Sequence, residues 1–245
     1  MSPPKTVNKS KISTTFNKDF IVKESLIKKS LHYILMLIES YTKFINSFIE
    51  KILSESDILL SSKFIDGRDN SRGDEHIIAD VIIEKLGNFI KKSSDTRSIG
   101  DIYIDMSIFG VDDIPINIKS VYKRKNQYNN AFGLPSFIGY TYNKPCHNNI
   151  SICDVISNYN EKKLNKYGFI IYSKNTRDVW IGTFDQIVNE DICINPSNGI
   201  QIKFPTKKVY RSDLNYHEML INLVGDFFKK RAEPYNHFKQ IVLKE

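Results

Sequence analysis

The feature that most constrains the fold of this chain is a pair of β-type segments close together in the sequence. Residues 99–109 and 114–122 carry apolar side chains at every second position, which is the period of strands with one buried face. The intervening Gly110-Val-Asp-Asp113 has the composition of a turn. The two segments are therefore predicted to pair as a β-hairpin.

A long amphipathic helix is predicted over residues 17–54. Seven apolar residues there recur at alternating steps of three and four, forming a heptad-like seam: Leu31, Ile34, Ile38, Tyr41, Ile45, Phe48 and Ile52. The seam either packs within one subunit or forms an interface between subunits, and the sequence favours neither. Residues 1–16 are polar and rich in Lys, Ser, Thr and Pro, so we expect a mobile arm there. Arm and helix together make up a basic N-terminal segment, residues 1–60.

The rest of the chain, residues 61–245, is predicted to alternate between helices and strands. Loops are predicted at residues 66–73, 91–98 and 123–130, helices after residue 73 and at 134–142, 151–165 and 213–231, and further strands at 169–172, 179–183 and 200–204. A short helix is predicted at the C-terminus. This order favours the α/β class, with a mixed sheet of five or six strands flanked by helices.

The composition excludes several classes of protein. An apolar share of 41% over 245 residues is enough for a buried core. Three cysteines without a CxxC pair make a disulfide scaffold or a cysteine zinc site improbable. The chain has no apolar signal core, and its longest apolar run, residues 31–38, is far too short to span a membrane. We therefore expect a cytoplasmic protein that does not associate with membranes.

The charge of the chain, +7 in total, is unevenly distributed. Two acid-free basic stretches consist of Lys119, Lys123, Arg124 and Lys125, and of Lys203, Lys207, Lys208 and Arg211. They follow a segment, residues 95–113, that holds five aspartates. Cations that hold phosphates beside carboxylates that hold a metal suit a nuclease. Ordinary solvated surface explains the same charges, and charge alone favours that explanation.

The hairpin carries the candidate chemistry. Asp101 lies near the start of its first strand, and Asn117 and Lys119 point to one face of its second strand because they are two residues apart. Glu75, in the first turn of the preceding helix, can add a second carboxylate. Oxygen ligands for Mg²⁺ beside a lysine that orients or deprotonates water are what a metal-dependent phosphodiesterase requires. An exposed charged hairpin without a function is the alternative.

Four sequence blocks resemble type II restriction endonucleases of the PD-(D/E)XK superfamily, in the EcoRV/HincII/SwaI-like branch. In chain order they are Arg72-Gly-Asp-Glu75, the hairpin with Gly100-Asp101 and Asn117-Ile-Lys119, Gly133-Leu-Pro135-Ser-Phe-Ile138, and Ile194-Asn-Pro-Ser-Asn-Gly-Ile-Gln-Ile-Lys-Phe204. Together the blocks span roughly residues 70–235. The N-terminal 60 residues lie outside the resemblance.

The resemblance implies a bacterial-type homodimer with a PD-(D/E)XK core that cuts both strands of a short palindrome in duplex DNA. The cofactor would be Mg²⁺, with Mn²⁺ able to substitute, and no small-molecule cofactor is expected. The resemblance implies that Asp101, Lys119 and Glu75 are catalytic residues. Asp101, Glu75 and position 117 would be the metal ligands. The products would carry 5′-phosphate and 3′-hydroxyl ends, without a covalent intermediate.

Position 117 departs from the family pattern, which has a carboxylate where this chain has Asn117. The only strict acid-x-Lys triplet, Glu161-Lys162-Lys163, lies in a polar helical stretch of the wrong character. An amide oxygen can ligate Mg²⁺ but brings no negative charge. Either the chain is a natural variant that relies on another acid, such as Asp105 or Glu75, or the residue is an inactivating Asp→Asn substitution.

Two regions supply candidate DNA contacts. Nine polar or basic residues lie in the loop after the hairpin or in the last two of the four blocks: Lys123, Arg124, Lys125, Asn130, Ser136, Asn195, Ser197, Asn198 and Gln201. Cations can hold phosphates, and amides can contact base edges. A plain flexible loop is an equal alternative for the residues that directly follow the hairpin. Other functions also stay open: a repair or junction-resolving nuclease of the same superfamily, or a sequence-specific DNA-binding protein that has lost catalysis.

Overall fold

The computed structural model describes residues 9–58, 60, 67–93, 98–123, 128–147, 149–160, 163–197 and 199–243, with side chains omitted at 9–26, 67–72, 129–132 and 243. The chain divides into two compact units, Met1–Ile45 and Asn46–Glu245. The helices are α1 (Lys9–Glu55), α2 (Gly67–Leu86), α3 (Leu134–Thr141), α4 (Asn149–Ser157) and α5 (Asp213–Phe238). The strands are β1 (Ile90–Lys92), β2 (Ile102–Ile104), β3 (Ile114–Val121), β4 (Asn129–Phe132), β5 (Gly168–Ser173), β6 (Val179–Thr183), β7 (Ile192–Asn195) and β8 (Gly199–Ile202).

A five-stranded mixed sheet with the order β1-β2-β3-β5-β6 forms the centre of the second unit. The β1–β2, β2–β3 and β5–β6 pairs are antiparallel, whereas β3 and β5 are parallel. Helices flank this sheet, and α2 packs against β3. The predicted α/β class, with a mixed sheet of five or six strands flanked by helices, is confirmed at this level.

The predicted hairpin is confirmed as the β2–β3 pair, in which Ile102 lies opposite Ile116. Its first strand is shorter than predicted, because a 3-10 turn at Ser107–Phe109 replaces the strand's second half. Gly110 follows that turn with a φ of 65°, a conformation that favours glycine. Lys91 in β1 lies 2.9 Å from both Asp105 and Asp113, one on each arm of the hairpin.

Gly100 is required where the chain enters β2. A Cβ atom at this position would lie 2.9 Å from the carbonyl oxygen of Ile102 and 2.9 Å from Cβ of Pro115. The backbone beside Asp101 therefore approaches β3 more closely than any residue with a side chain allows. This close approach positions the first candidate catalytic residue.

A second sheet, with three antiparallel strands in the order β4-β8-β7, was not predicted as such. The sequence predicted only one of its strands, and residues 129–130 fell in a predicted loop. Asn130 pairs with Gln201 across β4 and β8, and Cys193 pairs with Gln201 across β7 and β8. A turn that begins after Asn195 joins β7 to β8.

One apolar cluster joins the two sheets to three of the helices. Its members include Phe137 of α3, Ile152 of α4, Phe169 of β5, Ile200 of β8 and Leu220 of α5, each with at most 1% of its surface exposed. Since all five come from different elements, the cluster fixes both sheets relative to each other.

Several predicted boundaries were wrong. The long helix begins earlier than predicted, at Lys9, within the stretch expected to be an arm, and residues 1–8 lie outside the described part. The loop predicted at residues 66–73 is helical from Gly67 onward. The helix predicted at residues 151–165 ends at Ser157, and the last helix runs to Phe238 before a π-helical turn, Lys239–Leu243. Breakers such as Gly and Asn only bias the local chain, and neighbouring structure overrides them.

The predicted long helix is confirmed in α1, which is 47 residues long. Residues 27–37 are exposed on every side of the helix. Further along, in the second unit, Ile49 and Leu53 are fully buried. Within the residues that the structure describes, no helix is both long enough and apolar enough to cross a bilayer.

Candidate active site

Asp101 is held against the middle of β3 by two hydrogen bonds. Its backbone N–H donates to the carbonyl of Ile116 at 2.9 Å, and its carboxylate Oδ2 accepts from the N–H of Ile118 at 2.6 Å. The β2–β3 pairing ends at Ile116, so the carboxylate satisfies the next backbone donor along β3. The structure thus places Asp101 beside the segment that carries Asn117 and Lys119, as predicted.

Lys119 and Glu75 form an ion pair across the boundary between β3 and α2. Lys119 Nζ lies 3.1 Å from Glu75 Oε1, and the two side chains are only 12% and 13% exposed. Glu75, which the sequence offered as an additional carboxylate, therefore lies against the hairpin lysine. The helix that carries Glu75 begins earlier than predicted, so this residue lies in the interior of α2.

Burial raises the pKa of the Glu75 carboxyl above its ordinary value. The Lys119 ammonium opposes this shift, the negative charge of Asp101 adds to it, and the positive charge of Lys174 also opposes it. The burial effect exceeds the attraction of the two lysines. The two carboxylates of the cluster are therefore close enough to repel each other, and additional positive charge there would stabilise both.

Asn117 has one satisfied and one unsatisfied end. Its amide Nδ2 donates to the hydroxyl oxygen of Tyr167 at 3.4 Å, and Tyr167 in turn donates its own proton to the carbonyl of Ile99. The Oδ1 atom of Asn117 is buried and accepts no hydrogen bond from any residue that the structure describes. A buried acceptor without a partner is rare in folded proteins and indicates a site for a donor or a cation.

A second ion pair, which the sequence did not reveal, adjoins the first. Lys174 follows β5 directly and pairs with Asp74, which is 1% exposed and precedes Glu75 in α2. Consecutive acids of one helix thus bind lysines from β3 and from the end of the parallel strand β5. In the sequence, the available signal for Lys174 was its position directly after an apolar strand. The parallel β3–β5 pairing that brings Lys174 to Asp74 leaves no pattern among neighbouring residues.

The remaining candidate acid, Asp105, forms its contacts outside this cluster. It accepts a hydrogen bond from the Ser107 N–H at 2.8 Å and lies 2.9 Å from Lys91. Hydrogen bonds from Ser107 and from Lys91 lower the pKa of Asp105 to about 2. This residue stabilises the hairpin and does not join the Asp101–Glu75 cluster.

The predicted DNA contacts fall into two groups. Lys123 lies after β3, where its ammonium is 2.6 Å from Asp178 and stacks 4.9 Å from the ring of Phe204. Ser136 is exposed in the first turn of α3. Arg124 and Lys125 lie outside the described residues.

The second group is gathered on the three-stranded sheet. Asn130 and Gln201 are register partners, although only the backbone of Asn130 is described. Asn195 ends β7, and its side chain accepts from the N–H of Ser197 at 2.9 Å, which shapes the turn. Asn198 lies outside the described residues. The structure therefore brings together polar residues that are about 70 positions apart in the sequence, but it gives Asn195 a structural role as well.

The donor set can be compared with what a metal requires. No group of three or more His, Cys, Asp or Glu side chains suited to a metal occurs in the described part of the chain. Asp101 and Glu75 supply two carboxylates, and Asn117 supplies the unsatisfied amide oxygen. Carboxylate and amide oxygens are the kinds of ligand that Mg²⁺ takes in proteins, where one or two carboxylates hold it and it retains several waters.

Neither the models of known protein families nor the curated proteins contain a match to this chain.

Proposed function

We propose that the protein is a Mg²⁺-dependent endonuclease of the type II restriction class, acting as a homodimer on duplex DNA. The observation that carries the proposal is the buried Lys119–Glu75 ion pair beside Asp101 and the unsatisfied Oδ1 of Asn117. A lysine next to oxygen ligands, on one strand and its supporting helix, is the arrangement that hydrolysis of a phosphodiester by water needs.

The topology supports a PD-(D/E)XK core. The candidate residues lie on an antiparallel hairpin whose second strand, β3, pairs in parallel with β5, and α2 packs against that strand. This is compatible with the sheet and supporting helix that the sequence resemblance implies.

Each residue has a specific part in the proposed reaction. Asp101, Glu75 and Asn117 Oδ1 would hold Mg²⁺, and Mn²⁺ would substitute with the same ligands. When bound, the ion would supply charge neutralisation at the scissile phosphate and a water of lowered pKa. Lys119 places a positive charge where the anionic phosphate enters and orients the attacking water by hydrogen bonding. Glu75 holds the Lys119 side chain in place until DNA binds.

The three-stranded sheet is the proposed recognition surface. Asn130, Asn195, Ser197, Asn198 and Gln201 offer amide and hydroxyl groups for base edges, while Lys123, Arg124, Lys125 and Ser136 offer contacts to phosphates. Lys123 must exchange its partner Asp178 for a phosphate, and both members of this pair are nearly half exposed. The cost of separating such a pair in water is small.

The test is digestion of a sequenced plasmid in Mg²⁺ and in Mn²⁺, followed by mapping of the fragment ends. We expect discrete fragments with 5′-phosphates from the unaltered protein, and loss of cutting in Asp101→Ala and Lys119→Met. Lys85→Met is the matched control, because Lys85 lies on α2 but is 56% exposed and pairs with its sequence neighbour Glu84. Structure-selective nicking would instead indicate a repair or junction-resolving nuclease.

A DNA-binding protein without catalysis is the second candidate, and Asn117 is the observation that favours it. The missing carboxylate leaves the site with two acids, and Lys119 is neutralised by Glu75. Tight binding to one DNA sequence without cutting, in either metal and also after Asn117→Asp, would support this candidate and overturn the endonuclease.

A further inference from the structure

The Lys119–Glu75 ion pair joins the proposed catalytic lysine to one of the proposed metal ligands. Lys119 Nζ donates to Glu75 Oε1 at 3.1 Å, and the two side chains are only 12% and 13% exposed. Within the residues that the structure describes, Lys119 is the one hydrogen-bond donor to the Glu75 carboxylate. The positive charge of the lysine therefore lies directly on an oxygen atom that would also hold a cation.

The neighbouring lysine is held by a different acid. Lys174 pairs with Asp74, which is 1% exposed and precedes Glu75 in α2. Separating that pair would take the positive charge away from a buried carboxylate, which is strongly unfavourable. Lys119 is thus the lysine of this cluster whose ammonium can leave its acid when a better partner arrives.

A divalent cation and the Lys119 ammonium compete for Glu75. Mg²⁺ binds carboxylate oxygens at about 2.0–2.1 Å. An ammonium 3.1 Å from the same oxygen repels that ion, because like charges interact strongly where little water separates them. Mg²⁺ can contact Glu75 closely only when Lys119 moves away. A phosphate of DNA that attracts the ammonium removes this competition.

We propose that Lys119 is an internal competitor of the metal ion, whose ammonium holds Glu75 until a DNA phosphate replaces the carboxylate as its partner. Metal and DNA then bind cooperatively, since each favours the state in which Lys119 has left Glu75. This regulation rests on the proposed function for the identity of the two ligands. The competition itself is a property of the ion pair.

The first test is titration calorimetry of the full chain with MgCl₂ and with MnCl₂, without DNA. Lys119→Gln removes the charge but keeps a side-chain donor for Glu75. We expect this variant to bind the cation at least tenfold more tightly than the unaltered protein. Lys92→Gln is the matched control, because Lys92 also joins a strand to an acid of α2, Asp80, but the two side chains are 53% and 61% exposed. We expect its cation affinity to equal that of the unaltered protein.

The second test needs no substitution and measures the release of Lys119 directly. The unaltered protein is acetylated briefly with acetic anhydride, without Mg²⁺ and at a Mg²⁺ concentration that occupies the site in calorimetry. Mass spectrometry quantifies each modified lysine. We expect Lys119 to react at least fivefold faster with Mg²⁺, whereas Lys174 should react slowly in both samples because Asp74 retains it. An equal rate at Lys119 in the two samples would overturn the proposal.

Circular dichroism on each variant shows whether the fold is kept, and the acetylation result decides if Lys119→Gln fails to fold. Equal or weaker cation binding by a folded Lys119→Gln would overturn the competition, and discrete DNA fragments from the unaltered protein would then leave the proposed function standing. Tighter binding by Lys119→Gln, with no DNA cleavage by the unaltered protein, would support the competition and refute the endonuclease alone. Absence of cation binding to both proteins would overturn the competition together with the proposed metal site.

Discussion

Asn117 and Tyr167 are joined by a hydrogen bond in which the amide donates and the phenol accepts. Tyr167 has only one proton, and it is donated to the carbonyl of Ile99. Its oxygen can therefore accept from the Asn117 Nδ2 atom, 3.4 Å away, but it cannot donate in return. A carboxylate at position 117 would face a phenol oxygen with no proton to offer unless Tyr167 released Ile99. The surroundings of this residue thus suit the amide that is present.

If the proposed function is correct, Asn117→Asp should strengthen Mg²⁺ binding and raise the rate of DNA cleavage. The new carboxylate adds a negative charge to the oxygen set, and we expect about tenfold tighter metal binding, equivalent to about 1.4 kcal/mol. Without metal, the same variant should be less stable by about 1–3 kcal/mol, because the buried carboxylate faces the Tyr167 oxygen, which has no proton to donate to it. Cleavage rates across a Mg²⁺ series, together with urea unfolding with and without Mg²⁺, measure both effects. Unchanged cleavage would contradict the idea that a native acid has been removed from this position.

Lys174→Met should destabilise the protein strongly. Asp74 is 1% exposed, and loss of its lysine takes the paired positive charge away from a buried carboxylate, which costs about 3–5 kcal/mol. The double variant Asp74→Asn/Lys174→Met should recover most of that loss. Urea unfolding measures the free energies.

The matched control for Lys174 is Lys123→Met. Lys123 also pairs with an aspartate, Asp178, but the two side chains are 46% and 45% exposed. We expect a change below about 1 kcal/mol for this exposed pair. Equal losses in the two single variants would show that the Asp74–Lys174 pair has no special role in stability.

Gly100→Ala should weaken the hairpin by about 1–3 kcal/mol. The added methyl group would lie 2.9 Å from the Ile102 carbonyl oxygen, so the backbone beside Asp101 must move away from β3. Gly225→Ala in α5 is the control, because a Cβ there meets nothing within 4 Å and alanine is the better helix former. Thermal unfolding compares the two, and a loss of stability at Gly225 but not at Gly100 would contradict the steric argument.

Asp105 should make the hairpin sensitive to acid. Its pKa is about 2 in the folded protein, below the ordinary value of 3.8. A lowered pKa contributes stability that is present above the ordinary value and is lost as the pH falls towards 2. The stability difference between the unaltered protein and Asp105→Asn should therefore be constant at neutral pH and shrink below about pH 4. Urea unfolding across this range measures it, and a difference that grows on acidification would refute the assignment.

The hairpin and the main helices were predictable because their signals are local. A period of two around Gly110, and apolar steps of three and four in α1, depend only on neighbouring residues. Helix α2 was predicted too short because Gly67, Asn70 and Gly73 are breakers by residue type. Their weak local preference was overridden by the continuation of the helix.

The site was predictable only in part. Asp101, Glu75 and Lys119 share a sequence pattern, whereas Lys174 and Tyr167 reach the cluster through the parallel β3–β5 pairing. Parallel strands require a long connection, so their register leaves no trace in a short window. The second sheet escaped prediction for a similar reason, since β4 and β7 have four residues each and little alternation.

The parallel pairing of β3 with β5 also has a kinetic consequence. A two-strand hairpin forms within microseconds, but contacts between positions some 50 residues apart must wait for closure of a long loop. A chain that has folded only its hairpin contains Asp101, Asn117 and Lys119 without Tyr167 to orient the amide. The complete cluster therefore forms only after this long-range step. A newly made chain has no complete site until β3 and β5 have paired in its central sheet.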